Sequence, residues 1–239
     1  MIVLGHRGGR GDGWPAENSL EAFQRALDEG ADGVELDVRL CASGEPVLLH
    51  DPSLTRVTGG VDTRPVHAVP RHELPSLAGG ARVPDLASAL DLLRGRIVNV
   101  EVKADVPAEL PLVRAVARAI ARAPGTEVVV SSFDPAIVLA FAVLAPRVPR
   151  AMLVGARTPR LAAALPLALR PAIVAAHLDE AIITPSRGER LRRAGLRVVA
   201  WTVNDAARAA ALAAMGVRWL ITDDPKALVA SVGSVSPRR

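Results

Sequence analysis

The 239 residues predict an α/β protein, and the pattern of apolar runs is the main reason. Short runs of Val, Ile and Leu alternate with longer runs rich in Ala, Leu and Arg. The short runs are continuously apolar, which is typical of parallel strands covered on both faces. Eight such strands and eight helices within about 240 residues predict a (β/α)8, or TIM, barrel. An open doubly wound sheet is the alternative, because Gly8-Gly9-Arg10-Gly11 after the first strand approaches a phosphate-cradling pattern.

The predicted elements alternate along nearly the whole chain. The strands are the short apolar runs at 2–6, 33–39, 97–103, 127–132, 150–154, 172–177, 197–203 and 218–222. The helices are the longer segments between them, at 18–29, 85–94, 108–123, 135–145, 158–168, 186–194, 205–214 and 225–231. Several helix starts carry capping signals, namely Asn18 with Glu21, Asp205, and Asp224 ahead of Pro225.

One segment interrupts this alternation after the second strand. A turn leads into a short returning strand at 46–50, and residues 51–84 then show little periodicity. Connections of this length are usually functional, and this one follows the strand end at which barrel enzymes build their sites. We therefore expect one domain over residues 1–231 with a small insertion at about 51–84, and a flexible tail over 232–239.

Composition narrows the class of protein. Hydrophobic residues make up 50% and charged residues 23%, a balance that excludes a disordered or fibrous chain. Cys41 is the only cysteine, which excludes an internal disulfide and a cysteine-based zinc site. The net charge is only +4 and aromatics are 3%, so nucleic-acid binding is not expected. Since neither a secretory signal nor a run of about 18 apolar residues occurs, we expect a cytoplasmic protein with no stable membrane insertion.

Carboxylates collect at the ends of two early strands. Glu35 and Asp37 are two residues apart, so both point to the same face of their strand. Glu101 and Lys103 repeat this spacing on the next predicted strand. Carboxylates inside a barrel are costly unless they are paired or bind a cation. Three of them at one mouth predict a divalent metal ion, and ligation by oxygen alone favours Mg²⁺ or Ca²⁺ over Zn²⁺.

Basic and proton-carrying side chains lie at the same strand ends. Arg7 offers a planar fork and Lys103 a point charge, and both suit a phosphate. His6 and His50 also end strands, and histidine can give and take protons near neutral pH. Metal, cations and a histidine pair together predict displacement at phosphorus. Trp201, near the end of the seventh predicted strand, is expected to form a wall against the substrate.

Several short motifs follow one another in a recognisable order. Those before residue 60 are His6-Arg7-Gly8, Glu17-Asn18-Ser19 with Ala22-Phe23, Gly30-Ala31-Asp32-Gly33-Val34-Glu35-Leu36-Asp37-Val38, and His50-Asp51 with Leu54-Thr55-Arg56-Val57-Thr58. Those after residue 100 are Glu101-Val102-Lys103, Ser131-Ser132-Phe133, Trp201-Thr202-Val203-Asn204 and Ile221-Thr222-Asp223-Asp224-Pro225. This ordered set, which extends from residue 5 to about 225, resembles the glycerophosphodiester phosphodiesterase family.

The resemblance implies a catalytic (β/α)8 barrel whose small insertion corresponds to residues 51–84. It implies roles for seven residues: a divalent ion on Glu35, Asp37 and Glu101, phosphate contacts from Arg7 and Lys103, and acid–base catalysis by His6 and His50. The departures from the family's pattern lie in loops, at Ala16, Cys41 and Ser43. They bear on loop shape and substrate preference rather than on the reaction.

We therefore expect metal-dependent hydrolysis of glycerophosphodiesters to sn-glycerol 3-phosphate and an alcohol. We expect His6 to be the base and His50 the acid, although the residues leave this order open. The nucleophile is water, or a glycerol hydroxyl that first gives a cyclic phosphate. One alternative is a lysophospholipase D-type phosphodiesterase acting on lysophospholipids, which needs a more apolar mouth. Another is a non-catalytic phosphate-ligand binder on the same barrel.

Overall fold

The computed structural model describes residues 1–104, 109–159 and 161–232, and it confirms the predicted (β/α)8 barrel. The strands of these residues are β1 (Ile2–His6), β2 (Gly33–Leu40), β3 (Pro46–Leu48), β4 (Ile97–Val102), β5 (Glu127–Ser132), β6 (Arg150–Val154), β7 (Ala175–Asp179), β8 (Arg197–Trp201) and β9 (Trp219–Thr222). Their order in the sheet is β1-β9-β8-β7-β6-β5-β4-β2-β3, and β1 also pairs with β2. This second pairing closes the barrel, so the open-sheet alternative is wrong.

Helices cover the outside of the barrel. Within the described ranges they are α1 (Leu20–Asp28), α2 (Leu86–Leu92), α3 (Glu109–Ala121), α4 (Pro135–Leu144), α5 (Leu165–Ala168), α6 (Pro185–Arg193), α7 (Ala206–Ala214) and α8 (Pro225–Val232). None of these helices combines the length and the apolarity that a bilayer span requires. The short strand β3 runs antiparallel to β2, and the other strand pairs are parallel.

The alternation of residues along β2 shows how the barrel separates its two environments. Val34, Leu36 and Val38 point outward and are fully buried in a cluster with Phe23 of α1 and Leu90 of α2. Burying a side chain of this size stabilises the fold by about 1.5–3 kcal/mol. The intervening residues of β2 point into the barrel, so the apolar residues hold the strand while the polar ones are free to build a site.

The lower half of the barrel interior is apolar and tightly packed. Leu4, Val199 and Ile221 form one buried cluster with Ile97, the first residue of β4. Gly33 lies beside this layer, where a Cβ would fall 1.8 Å from the carbonyl oxygen of Ile97. Only glycine therefore fits at this position of β2. The apolar cluster forms a floor, and the polar residues nearer the strand ends lie above it.

The insertion has a small core of its own. Residues 66–68, 71–73 and 78–80 form single turns of 3-10 helix. Apolar side chains under these turns form a buried cluster with the returning strand β3, consisting of Cys41, Val47, Leu49, Leu54, Val66, Val69, Leu77 and Val83. The insertion is thus packed against the barrel rather than extended over it. Of the predicted tail, residues 233–239 lie outside the described residues.

Two element predictions in the second half of the chain are wrong. The helix expected at 158–168 is replaced by a 3-10 turn over residues 162–164 and the four-residue α5. Pro166 accounts for this, because proline inside a helix removes a hydrogen bond and clashes with the preceding turn, and the structure places it in the first turn of α5 instead. The strand expected at 172–177 begins only at Ala175 and continues to Asp179, since its pairing with β8 starts at that residue.

The predicted N-cap of α1 is also wrong by one residue. Ser19, not Asn18, caps the helix, and its Oγ accepts a hydrogen bond of 3.1 Å from the backbone N–H of Ala22. Asn18 has a positive φ of 60°, and its side chain points away from the helix toward β2. The caps predicted at Asp205 and Asp224 are confirmed by hydrogen bonds to the first turns of α7 and α8.

His177 is buried inside the barrel in the middle of β7, with no hydrogen-bond partner for its Nδ1. Burial, with a smaller effect of the Arg197 charge, lowers the pKa of His177 to about 3. In the unfolded chain its pKa is about 6.5. Between these values the unfolded chain binds a proton that the folded chain excludes, so acid favours unfolding through this group.

We predict that His177→Leu reduces the acid sensitivity of the fold. Between about pH 6 and pH 4, His177 is expected to cost up to about 1.4 kcal/mol of stability per pH unit. Urea unfolding at several pH values measures this slope for the wild-type protein and for His177→Leu. His72→Leu is the control, because His72 is exposed on the insertion. An identical pH slope in the wild type and His177→Leu would contradict the prediction.

Candidate active site

The carboxyl ends of β1, β2 and β4 bring the predicted site residues together. The strand register places His6 beside Glu35 and Asp37 beside Glu101. The strand ends surround a cavity of about 230 Å³. Seven of the eight predicted site residues line it: His6, Arg7, Glu35, His50, Glu101, Lys103 and Trp201. The eighth, Asp37, is fully buried next to them.

Glu35, Asp37 and Glu101 form a cluster of carboxylates, each of which has an oxygen within 4.8 Å of the others'. Glu35 is 3% exposed, and its Oε1 is buried without a hydrogen-bond partner. Burial, together with the charges of Asp37 and Glu101, raises the pKa of Glu35 well above its ordinary value. Burial also raises the pKa of Glu101. The ionised carboxylates of this cluster therefore repel one another.

Two cations partly compensate this cluster, and both contact Asp37. The Lys103 Nζ lies 2.7 Å from one oxygen of Asp37 and also contacts Glu101. The Arg7 Nε lies 3.0 Å from the other oxygen of Asp37. Although burial acts to raise the pKa of Asp37, the charges of Lys103 and Arg7 outweigh it and lower this pKa. The compensation is thus concentrated on one carboxylate and leaves Glu35 with the least.

The donor set fits a hard divalent cation. Glu35, Asp37 and Glu101 offer only oxygen, which is the ligand that Mg²⁺ and Ca²⁺ prefer. When all three carboxylates are ionised, the charges of Arg7 and Lys103 leave a net charge of −1 in a buried place. A cation held by these carboxylates would supply a partner to the unsatisfied oxygen of Glu35 and remove the repulsion within the cluster.

His6 is held by a carboxylate from the far end of the chain. Its Nδ1 lies 2.6 Å from Oδ1 of Asp223, the residue that follows β9. Its Nε2 lies 3.9 Å from Glu35. Arg10 donates to both oxygens of Asp223 at 2.9 Å, and Asn204 donates to one of them at 3.0 Å. Burial acts to raise the pKa of Asp223, but the hydrogen bonds from His6 and Asn204 outweigh it and lower this pKa.

His50 has a similar carboxylate partner within its own loop. Its Nδ1 lies 2.7 Å from Oδ1 of Asp51, and Arg56 donates to the other oxygen of Asp51. Arg39, from β2, donates to the carbonyl oxygen of His50 at 2.9 Å and so fixes the backbone at this point. Burial, followed by the charge of Lys103, lowers the pKa of His50.

Glu17 lies between the two histidines on the loop that precedes α1. Its carboxylate accepts hydrogen bonds of 3.1 and 3.2 Å from Arg7 and one of 2.5 Å from Arg56. It also lies 3.8 Å from a guanidinium nitrogen of Arg10. The neighbouring Asn18 donates to Asp37 at 2.9 Å. This loop therefore contacts both the arginines and the carboxylate cluster.

Two aromatic side chains form the opposite wall of the cavity. Phe133, after β5, meets Trp201 edge to face, with ring centroids 5.7 Å apart. The indole Nε1 of Trp201 is buried without a hydrogen-bond partner. Trp201 therefore lines the cavity, with Phe133 beside it.

Sequence reasoning missed several residues that contact the predicted ones. Asp223 and Asp51 occur in the quoted motifs, so a signal for them was present, but their partners depend on the folded structure. Asn99 also lines the cavity, and its buried Oδ1 has no hydrogen-bond partner. Its position two residues before Glu101 on the same strand is the signal that could have found it.

Comparison with known proteins places this barrel among phosphodiesterases. The model of the glycerophosphoryl diester phosphodiesterase family matches residues 6–227. A glycerophosphodiester phosphodiesterase of Caldanaerobacter subterraneus subsp. tengcongensis is 28% identical over 238 residues, which cover 95% of this chain and 96% of that protein. The crystal structure of a glycerophosphodiester phosphodiesterase from Thermotoga maritima has a TM-score of 0.79 at 26% identity, covering 96% and 97% of the two chains.

A third comparison concerns the fold alone. A phosphodiesterase of Oleispira antarctica, solved in complex with its product sn-glycerol-3-phosphate, has a TM-score of 0.86 at 24% identity and covers 98% of this chain and 97% of its own. Fold, site and relatives together define an enzyme of the phosphoric diester hydrolase class. Within that class, the chain belongs to the glycerophosphoryl diester phosphodiesterase family.

We predict that Glu35→Gln stabilises the protein in the presence of a chelator. The substitution removes one of three mutually repelling charges, yet keeps an oxygen to accept the 3.1 Å hydrogen bond from the backbone N–H of Arg7. A gain of about 1 kcal/mol corresponds to a Tm increase of about 2–4 °C in a chain of this size. The gain should grow with pH, since a carboxyl group with a raised pKa costs stability once it ionises.

Differential scanning calorimetry tests this prediction. Glu127→Gln serves as the control, because Glu127 is an exposed carboxylate at the start of β5, at the opposite end of the barrel. A Glu35→Gln protein with a Tm equal to or below that of the wild type in chelator would show that the cluster is not strained.

Proposed function

We propose that this protein hydrolyses glycerophosphodiesters to sn-glycerol 3-phosphate and an alcohol, with a bound divalent ion and a histidine pair. The observation that carries the proposal is the placement of two histidines around a cluster of three buried carboxylates in one small cavity. Membership of the family supports the substrate class. The same placement supports catalysis over mere binding, because a binder has no need for two proton-carrying groups at the cluster.

Glu35, Asp37 and Glu101 would hold the divalent ion, for which we propose Mg²⁺ or Ca²⁺. When bound, such an ion neutralises phosphodiester oxygens and makes the phosphorus more electrophilic. Arg7 and Lys103 line the cavity beside these carboxylates, so both are positioned to contact the phosphate as well. Each would then exchange its contact with a carboxylate for one with the substrate phosphate, and neither side chain would need to move far.

The histidines act as the acid and base in this proposal. Asp223 and Asp51 are acceptors when ionised, so the Nδ1 of each histidine carries the proton that they bind, and Nε2 is left for the reaction. We assign His6 as the base and His50 as the acid. The Lys103 charge contributes to the lowered pKa of His50. A phosphate anion beside Lys103 would offset this effect and favour the protonated His50 that an acid requires.

A second pocket supports this assignment. It has a volume of about 250 Å³, shares His50 with the main cavity, and is lined by apolar residues of the insertion that include Val57 and Leu77. The leaving alcohol would lie in this pocket, next to its proton donor. The glycerol would then lie in the main cavity against Trp201 and Phe133.

An assay on several phosphodiesters tests the function. We expect turnover of glycerophosphocholine or glycerophosphoethanolamine to exceed that of lysophosphatidylcholine, to stop in chelator, and to return on addition of Mg²⁺ or Ca²⁺. Faster turnover of the lysophospholipid would favour the lysophospholipase D-type alternative. Ligand binding without turnover in either metal would favour the non-catalytic binder, and activity that survives thorough chelation would contradict the role of the carboxylates.

Substitution of either histidine tests the acid–base assignment. His6→Ala and His50→Ala are each expected to lower kcat by about 10²-fold or more, because general acid–base catalysis contributes at least this much. His67→Ala is the control, since His67 is exposed on the insertion. Circular dichroism confirms that each variant is folded. A folded His6→Ala protein with full activity would contradict the assignment of His6 as the catalytic base.

A further inference from the structure

The surroundings of the two histidines repeat the same arrangement. In each case the histidine Nδ1 meets one oxygen of an aspartate, at 2.6 Å for His6 and 2.7 Å for His50. In each case an arginine donates through its Nε to that aspartate, Arg10 to Asp223 and Arg56 to Asp51. The two His–Asp–Arg chains come from different parts of the sequence, because Asp223 follows the last strand whereas Asp51 belongs to the insertion.

Both chains end at the same carboxylate. Arg56 donates to Oε1 of Glu17 at 2.5 Å, and the Arg10 guanidinium lies 3.8 Å from Oε2. The side chains of Arg10 and Arg56 are 42% and 51% exposed, so neither is fixed by packing alone. Glu17 is far less exposed, with 17% of its side chain accessible. The least exposed of these three side chains is therefore the one that both arginines share.

The backbone holds Glu17 firmly at this position. The N–H of the next residue, Asn18, donates to the carbonyl oxygen of Arg7 at 2.9 Å, and both residues have the positive φ values of a tight left-handed conformation. The Asn18 side chain exchanges two hydrogen bonds with Asp37, at 2.9 Å to its carboxylate and 3.0 Å from its backbone N–H. The loop that carries Glu17 is thus attached through the backbone and the side chain of Asn18, to Arg7 and to Asp37.

We propose that Glu17 is a positioning residue that orients both histidines at once, through Arg10 and Asp223 on one side and through Arg56 and Asp51 on the other. The arginines keep the aspartates ionised and correctly turned, and the aspartates select the histidine tautomer with its proton on Nδ1. A single side chain that bonds to neither histidine then sets the geometry of both proton-transfer groups. The activity part of this inference rests on the proposed function, whereas the geometric part does not.

The experiment compares four substitutions by ¹⁵N NMR of the histidine side chains, which distinguishes protonated from unprotonated ring nitrogens without substrate. Glu17→Gln is expected to shift the ring signals of both His6 and His50. Asp223→Asn should shift mainly those of His6, and Asp51→Asn mainly those of His50. Glu21→Gln is the matched control, because Glu21 is an exposed glutamate on α1, and it should shift neither.

Kinetics supply the second readout. Glu17→Gln is expected to lower kcat by about 10-fold, as is common when a supporting hydrogen-bond partner is lost, with a smaller change in KM. An effect on KM alone would mean that Glu17 serves only substrate binding, through Arg7 or the second pocket that it lines, and it would overturn the proposal. Unchanged histidine signals in a folded Glu17→Gln protein would overturn it as well. If no phosphodiester is turned over, the NMR result still decides the positioning role, and only the proposed function fails.

Discussion

The excess of negative charge buried at the carboxyl ends of β2 and β4 is the constraint on which the rest of this structure depends. Three carboxylates lie there within 4.8 Å of one another, and the cations of Arg7 and Lys103 compensate mainly Asp37. Glu35 is only 3% exposed and Asp37 is fully buried, so water has little access to either carboxylate. The fold therefore sustains an unfavourable arrangement in its interior, and the stability needed for this comes from the outer layer of strand and helix contacts.

The barrel makes such an arrangement possible because the outward residues of each strand pack under helices, while the inward residues form the site. On β2 the outward residues Val34, Leu36 and Val38 are completely buried under helices, so the strand stays in register even though its inward residues repel one another. In a parallel barrel, register determines which strand ends meet. The pairing of Asp37 with Glu101 is thus a consequence of the strand alignment and does not require attraction between the two side chains.

The sequence predicted the structure best where the deciding interactions lie between residues close together in the chain. Alternation along residues 33–39 and 97–103 is visible in the chain, and it predicts the facing carboxylates directly. Capping was less certain, because Asn18 and Ser19 are both good N-caps, and the choice between them depends on the hydrogen bonds of Asn18 to Asp37. No local pattern links Asp223 to His6, which are separated by 217 positions.

The contact between His6 and Asp223 makes the geometry of the site depend on closure of the barrel. Strand β1 pairs with both β2 and β9, so His6 at its end lies between the carboxylate cluster on one side and Asp223 on the other. Residues from the two ends of the chain can meet in this way only when the barrel is complete. A partly open barrel in which β9 has separated would keep Glu35, Asp37 and Glu101 together on adjacent strands, yet His6 would lose its aspartate. The carboxylate cluster therefore draws on the first half of the barrel alone, whereas the contact of His6 with Asp223 requires closure by β9.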